Sequence, residues 1–196
     1  MPTKVVVEAL NKFSPMADAH FRNAATALER AINDPAFNDL VLEAKYKETR
    51  FKPSSARTVV RKTPAEILAI ITGGIERGST ADGQISLKIT RDDTIKPDVV
   101  GVTTTGRLPF RTAGWFIDAA VQSGDLVSPA RHMIHEWLHV AGFVHKRNNG
   151  WRPDVAYLVG GIVRTILLDE AKVAATELFE DPELAKAVDA SVIDID

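Results

Sequence analysis

Apolar positions recur along this chain with two spacings, every second residue and every third or fourth, and the changes between them predict the elements. Residues 4–10 are β-branched and apolar, which predicts a first strand. Ser14-Pro15 then supplies an N-cap serine and an N1 proline. The helix they open carries Ala19, Ala24, Ala27, Leu28 and Ile32 on the face expected to pack on a sheet, and Asn33-Asp34-Pro35 ends it. Residues 37–51 read two ways: Leu40-Val41-Leu42 suits a helix, whereas Tyr46, Thr49 and Phe51 favour a strand. Pro53-Ser54-Ser55 reads as loop. Thr63-Pro64-Ala65-Glu66 is a capping box with proline at N1, opening a helix over residues 67–75. Gly73-Gly74 lacks the setting and the Lys-Ser/Thr of a phosphate loop, so turn chemistry or close packing is expected there.

After a turn at Asp82-Gly83, residues 85–90 alternate Ile, Leu and Ile with polar residues, the pattern of a half-buried strand. The adjacent acids Asp92 and Asp93 offer a cation site as one reading, but a solvated turn is the expectation. Residues 99–105 predict another strand and residues 108–117 a last one, with Trp115 and Phe116 packed. Ser128-Pro129 repeats the cap-plus-proline device before the next helix. After Pro153, the positions Val155, Leu158, Val159, Ile162, Val163, Ile166 and Leu167 follow helical spacing and predict a long buried helix, with Gly160-Gly161 allowing close packing. Asp181-Pro182 breaks it, and residues 183–190 predict a final short helix. The predicted class is α+β, a mixed twisted sheet covered by helices in one domain spanning 1–196.

Composition narrows the function. The 196 residues are 45% apolar and 26% charged, ordinary for a soluble globular chain with a real core. A net charge of −2 without a basic block argues against nucleic acid or an anionic membrane as partner. No run of about 18 apolar residues is present, so no membrane span is expected. The absence of cysteine excludes disulfides and fits a reducing compartment. With no leader-like apolar stretch at the N-terminus, a cytoplasmic location is the expectation.

The chemistry is concentrated in residues 135–145, which read H-E-x-x-H-x-x-G-x-x-H. A chance match in a chain of this length is very roughly one in a hundred thousand, which makes this the most specific feature of the sequence. His135 and His139 lie four apart, so on a helix they share a face and reach one metal. Gly142 can adopt a left-handed conformation, end the helix and return His145 to the same metal. Three neutral nitrogens leave a fourth zinc position open for water. Glu136, displaced around the helix, is placed to take a proton from that water. Structural zinc sites are usually closed by four ligands rich in cysteine, which this chain lacks. His132 lies three before His135 and roughly on its face; an extra ligand in a different metal geometry is the alternative, but a role supporting the site or exposure near the helix start is the expectation, and His20 is expected to be a packing or surface residue.

The eleven residues resemble the metzincin clan of zinc endopeptidases. The resemblance implies His135, His139 and His145 as zinc ligands and Glu136 as general base. It also implies a sheet-bearing upper part (about residues 1–142), a central zinc helix and a small, C-terminal helical lower part (about residues 143–196). A sheet edge above the cleft, either residues 99–105 or 107–114, would bind an extended peptide or protein substrate as an added strand. The chain departs from the clan in one respect: Met1, Met16 and Met133 are its only methionines, so none follows His145 to form a Met-turn. Val155 is the candidate substitute floor, and Tyr157 is the candidate for reaching the metal or the oxyanion, as a tyrosine near the Met-turn does in some clan members. The expected activity is zinc-dependent peptide hydrolysis. The alternatives are a non-catalytic zinc domain that binds peptides, and a zinc hydrolase of small amides.

Overall fold

The computed structural model describes residues 2–53, 58–145 and 154–180, with side chains to residue 173. Along the chain come β1 (Lys4–Asn11), α1 (Pro15–Ile32), α2 (Pro35–Glu43), β2 (Arg50–Phe51), β3 (Val60–Arg61), α3 (Pro64–Thr72), β4 (Gln84–Asp92), β5 (Gly101–Val102), β6 (Phe110–Ala113), α4 (Gly114–Ser123), α5 (Val127–Ala141) and α6 (Val155–Glu180). The fold is mixed α+β. Its main sheet has the order β1-β4-β6-β5. The first three strands run parallel and β5 pairs antiparallel with β6, so β5 is an edge.

The alternation in β4 works as the pattern predicts: Ile85, Leu87 and Ile89 are fully buried, and the residues between them are half-buried. Helices α1 and α5 supply the opposing core through Phe21, Ala24, Leu28, Met133, Ile134 and Leu138. Each large side chain buried there contributes about 1.5–3 kcal/mol. Alanines at 24, 27 and 31 of α1 keep that helix close to its neighbours. Helix α5 is thus held between α1, α6 and the sheet, and this fixes the position of its histidines.

Helix starts follow local chemistry. Ser14 Oγ accepts from the Ala17 N–H at 3.2 Å. Thr63 and Glu66 form the reciprocal capping box. The helix after it is shorter than the expected 67–75, because it stops at Gly73. Gly74 then adopts φ +60° against the backbone of Gln84, so the glycine pair serves close packing. Other expectations need correction too. Asp34-Pro35 does not only stop α1; the Asp34 carboxylate caps a second helix, α2, whose Phe37 and Val41 are buried. The strand expected over residues 108–117 ends at Ala113, and Trp115 and Phe116 lie in α4. The strand expected over residues 99–105 is paired only at Gly101 and Val102. Asp92 and Asp93 are not merely solvated; they form ion pairs with Arg111 and Arg91.

Ser128-Pro129 does not open α5. That helix begins at Val127, and the Asp125 carboxylate accepts from the N–H groups of Val127 and Ser128 at 2.8 and 3.0 Å. His20 of α1 braces the same turn through the carbonyl of Asp125, a packing role. In α6, Val155, Val159, Val163, Ile166 and Leu167 are buried as the spacing predicts. The break at Asp181-Pro182 and the short helix expected at residues 183–190 lie outside the described residues, as do Ser54 and Ser55 of the expected loop. Among the described residues, no helix is long and apolar enough to cross a membrane.

Candidate metal centre

One helix and one turn bring three histidines together. His135 and His139 project from the same face of α5, with ring centroids 5.1 Å apart. The opposite face carries Ile134, Leu138 and Ala141 into the core. Gly142 ends the helix at φ +125°, a conformation that residues with a side chain rarely adopt. A Cβ there would lie 2.8 Å from the Lys52 carbonyl oxygen, so glycine is needed for space as well as for conformation. The chain leaving Gly142 is gripped by the segment around β2. Lys52 N–H donates to the Gly142 carbonyl, Val144 N–H donates to the Arg50 carbonyl, and Phe51 and Phe143 meet edge to face. This pairing returns His145 to within 4.5 Å of the His139 ring and 5.4 Å of the His135 ring, centroid to centroid. One ligand atom from each of the three lies within 4.8 Å of the others, close enough to hold one metal ion.

Substitution of Gly142 with alanine is therefore expected to destabilise the fold by about 1–3 kcal/mol and to weaken metal binding together with it. Denaturant unfolding and a metal titration on the same sample check both effects. Unchanged stability would show that the positive φ and the close approach to Lys52 carry no weight.

Two of the three rings are fixed by their outer nitrogens. His139 Nδ1–H donates to the Phe143 carbonyl at 2.9 Å. A carbonyl can only accept, so this fixes the tautomer and leaves Nε2 as the ligand atom. His145 Nδ1 bonds the Asp154 carboxylate, whose other oxygen accepts the Tyr157 N–H at 3.2 Å at the start of α6. A parallel bridge between Glu48 and Asp154 ties this point to the chain before β2. Burial, followed by the charges of the neighbouring histidines, pushes the His135 pKa down to about 2. Burial likewise pushes His139 down to about 4. Asp154 raises that of His145 above its ordinary value.

The proton competing with metal near neutral pH is thus mainly the one on His145. Metal affinity is expected to fall between about pH 8 and pH 5, with a dependence near one proton rather than three. Calorimetric metal titrations in buffers of different ionisation enthalpy count that proton. An affinity flat across this range would contradict the ligand assignment.

Glu136 lies beside the cluster, 5% exposed. Its Oε2 accepts a hydrogen bond from the Thr103 hydroxyl, and its Oε1 lies 3.7 Å from His132 Nδ1. Burial pushes its pKa up to about 6, against the opposing pull of Thr103. His132 is buried and bonds Thr112 Oγ1 through Nε2 at 3.0 Å. Its ring sits edge-on to Phe110 and Phe116, and it passes so close to Gly101 that a side chain there would collide with it. Burial pushes the His132 pKa down to about 3, so it packs neutral beside Glu136, and it is not grouped with the three histidines.

The centre opens into a cavity of about 810 Å³ bounded by residues 98–103 of the edge strand region on one side and by α5, Val144 and Tyr157 on the other. The Tyr157 ring stacks on His145 at 5.2 Å and meets His135 edge-on at 4.7 Å. Val155 is buried and lies beside His139 and His145. The structure thus brings together His135, Glu136, His139, His145, Tyr157 and Val155. Sequence reasoning missed two contributors. Asp154 carried a signal, because Pro153-Asp154 before a helical apolar run is an N-cap pattern. Thr103 carried none, because its pairing with Glu136 spans 33 residues. The donor set fits a divalent metal that prefers imidazole nitrogen: three rings, two with ligand nitrogens set by outer partners, and no thiol. Comparison of the chain with protein-family models, curated proteins and solved structures finds no match.

Proposed function

We propose that this chain is a zinc-dependent endopeptidase, a divergent member of the metzincin type. The observation that carries this reading is the convergence of His135, His139 and His145 beside Glu136 in a cleft whose wall includes β5, the edge strand of the sheet among the described residues. When bound, zinc supplies Lewis acidity, making water a better nucleophile and polarising a carbonyl. His135, His139 and His145 hold it. Glu136 accepts the proton of the attacking water and delivers it to the leaving amine nitrogen. The Thr103 hydroxyl holds its carboxylate in place, with His132 packed beside it. Tyr157 flanks His135 and His145 on the cleft side and is the candidate donor to the developing oxyanion. Val155 provides the apolar floor that a Met-turn provides elsewhere.

An extended peptide would add to β5 as an antiparallel or parallel strand, its backbone satisfying the free edge. A cavity running along that edge favours a peptide over a small amide. The lack of a methionine after His145 is the one feature that favours a peptide-binding domain without turnover. The deciding experiment is cleavage of a peptide library by zinc-loaded protein, by chelator-stripped protein and after zinc is returned, read by mass spectrometry. Cleavage that disappears and returns with zinc is expected. Silence from protein shown to contain zinc would move the reading to the binding domain.

A further inference from the structure

We propose that Arg131 is a specificity-determining residue that selects substrates by a carboxylate placed beside the scissile bond; this inference rests on the peptidase reading. Arg131 lies four residues before His135, on the same face of α5 and one turn towards its N-terminus. It lines the same cavity as His135, His139 and Tyr157. It is the only lysine or arginine among the described residues of that lining.

Its stem is seated in a prepared place. The Cβ of any residue replacing Gly160 of α6 would lie 3.3 Å from Arg131 Cγ and 3.9 Å from its Nε. Gly160 thus opens the groove in which the stem of the side chain rests, and Arg131 lines the cavity that Tyr157 and the three histidines also line. Of the two acids in the same lining, Glu136 is engaged with Thr103. Asp98, the remaining acid of the lining, is exposed and makes no ion pair with it. Among the described residues, Arg131 has no hydrogen-bond or ion-pair partner of its own.

A planar, always-charged fork at this place matches a carboxylate with two parallel hydrogen bonds. The cavity wall around it mixes this charge with the apolar Val100 and Phe116 and the hydroxyl of Ser128. That combination suits a side chain with a hydrocarbon stem and an acidic tip, as in glutamate, or the free carboxylate of a peptide end. The shared chemistry is the carboxylate, and the two sources are separable by experiment.

The test uses zinc-loaded Glu136→Gln protein as a non-hydrolysing receptor, with binding read by fluorescence anisotropy. The probes are labelled hexapeptides carrying Glu, Gln or Lys at each position in turn on an Ala/Gly background. Each is made with a free and with an amidated C-terminus. The expected result is binding at least about tenfold tighter for the carboxylate-bearing probe than for its neutral twin. Adding Arg131→Gln should erase that preference, and Arg131→Glu should turn it towards lysine. Preference for internal Glu with either end identifies a side-chain subsite. Preference for the free end alone identifies recognition of a chain terminus. No preference, whether both probes bind alike or neither binds, overturns the proposal, as does a preference that survives Arg131→Gln. Cleavage by the wild type is scored separately. Hydrolysis without carboxylate preference sinks this inference alone, and carboxylate binding without hydrolysis sinks the peptidase reading alone.

Discussion

Replacing Glu136 with glutamine is expected to lower kcat for peptide hydrolysis by about two to four orders of magnitude while metal content and KM stay nearly unchanged. The substitution is close to isosteric. The amide oxygen of glutamine can still accept from the Thr103 hydroxyl, and His132 remains fixed by Thr112, Phe110 and Phe116. Buried neighbours therefore keep their partners, and little stability should be lost. What disappears is the ability to take a proton. A side chain held in place but unable to act as base separates chemistry from binding, which appears as a fall in kcat rather than a rise in KM. Stopped assays with metal analysis on the same preparations measure this. A variant that retains wild-type turnover would remove Glu136 from the reaction.

The second large effect concerns the ligands themselves. His139→Ala removes one of three nitrogens and leaves the Phe143 carbonyl without its donor. Loss of stoichiometric metal is expected, with an affinity drop well beyond that of an outer partner. Asp154→Asn provides the comparison. It leaves all three rings in place and weakens only the hold on His145, so a drop of about 10–100-fold is expected. Competition against a chromophoric chelator measures both, and circular dichroism shows that each variant is folded. The ranking matters more than either value. If Asp154→Asn cost as much as His139→Ala, Asp154 would be acting as a ligand rather than as an anchor. If His139→Ala kept metal at the parental affinity, the three-histidine set would be wrong.

Much of the site is legible in the sequence because its parts are local. The four-residue spacing of His135 and His139 needs only a helix, and Gly142 carries its own stop signal. The caps at Ser14 and Thr63 and the alternation in β4 are local in the same way. What the sequence hides depends on distant partners. Residues 37–51 read ambiguously because Arg50-Phe51 becomes a strand only through pairing with residues 60–61 and with the chain after Gly142. Trp115 and Phe116 favour a strand locally. The parallel register, however, ends with Asp92 opposite Ala113, and beyond that pair the backbone satisfies itself as a helix. Asp34-Pro35 carries both a stop for α1 and a start for α2, and the start is the less legible of the two. The metal-facing half of the fold is therefore written in residues 135–145, whereas its clamps, Thr103, Asp154 and the β2 segment, emerge only when the chain is folded.

The most direct test is X-ray absorption at the zinc edge of the zinc-loaded protein. His135, His139 and His145 are expected to hold one ion and to leave a position open beside Glu136. The expected spectrum has three imidazole nitrogens and one further oxygen in a shell at about 2.0–2.1 Å. Addition of a hydroxamate should replace that oxygen without loss of an imidazole. A shell with fewer than three imidazoles, or one closed by a fourth protein ligand that hydroxamate cannot displace, would contradict this arrangement.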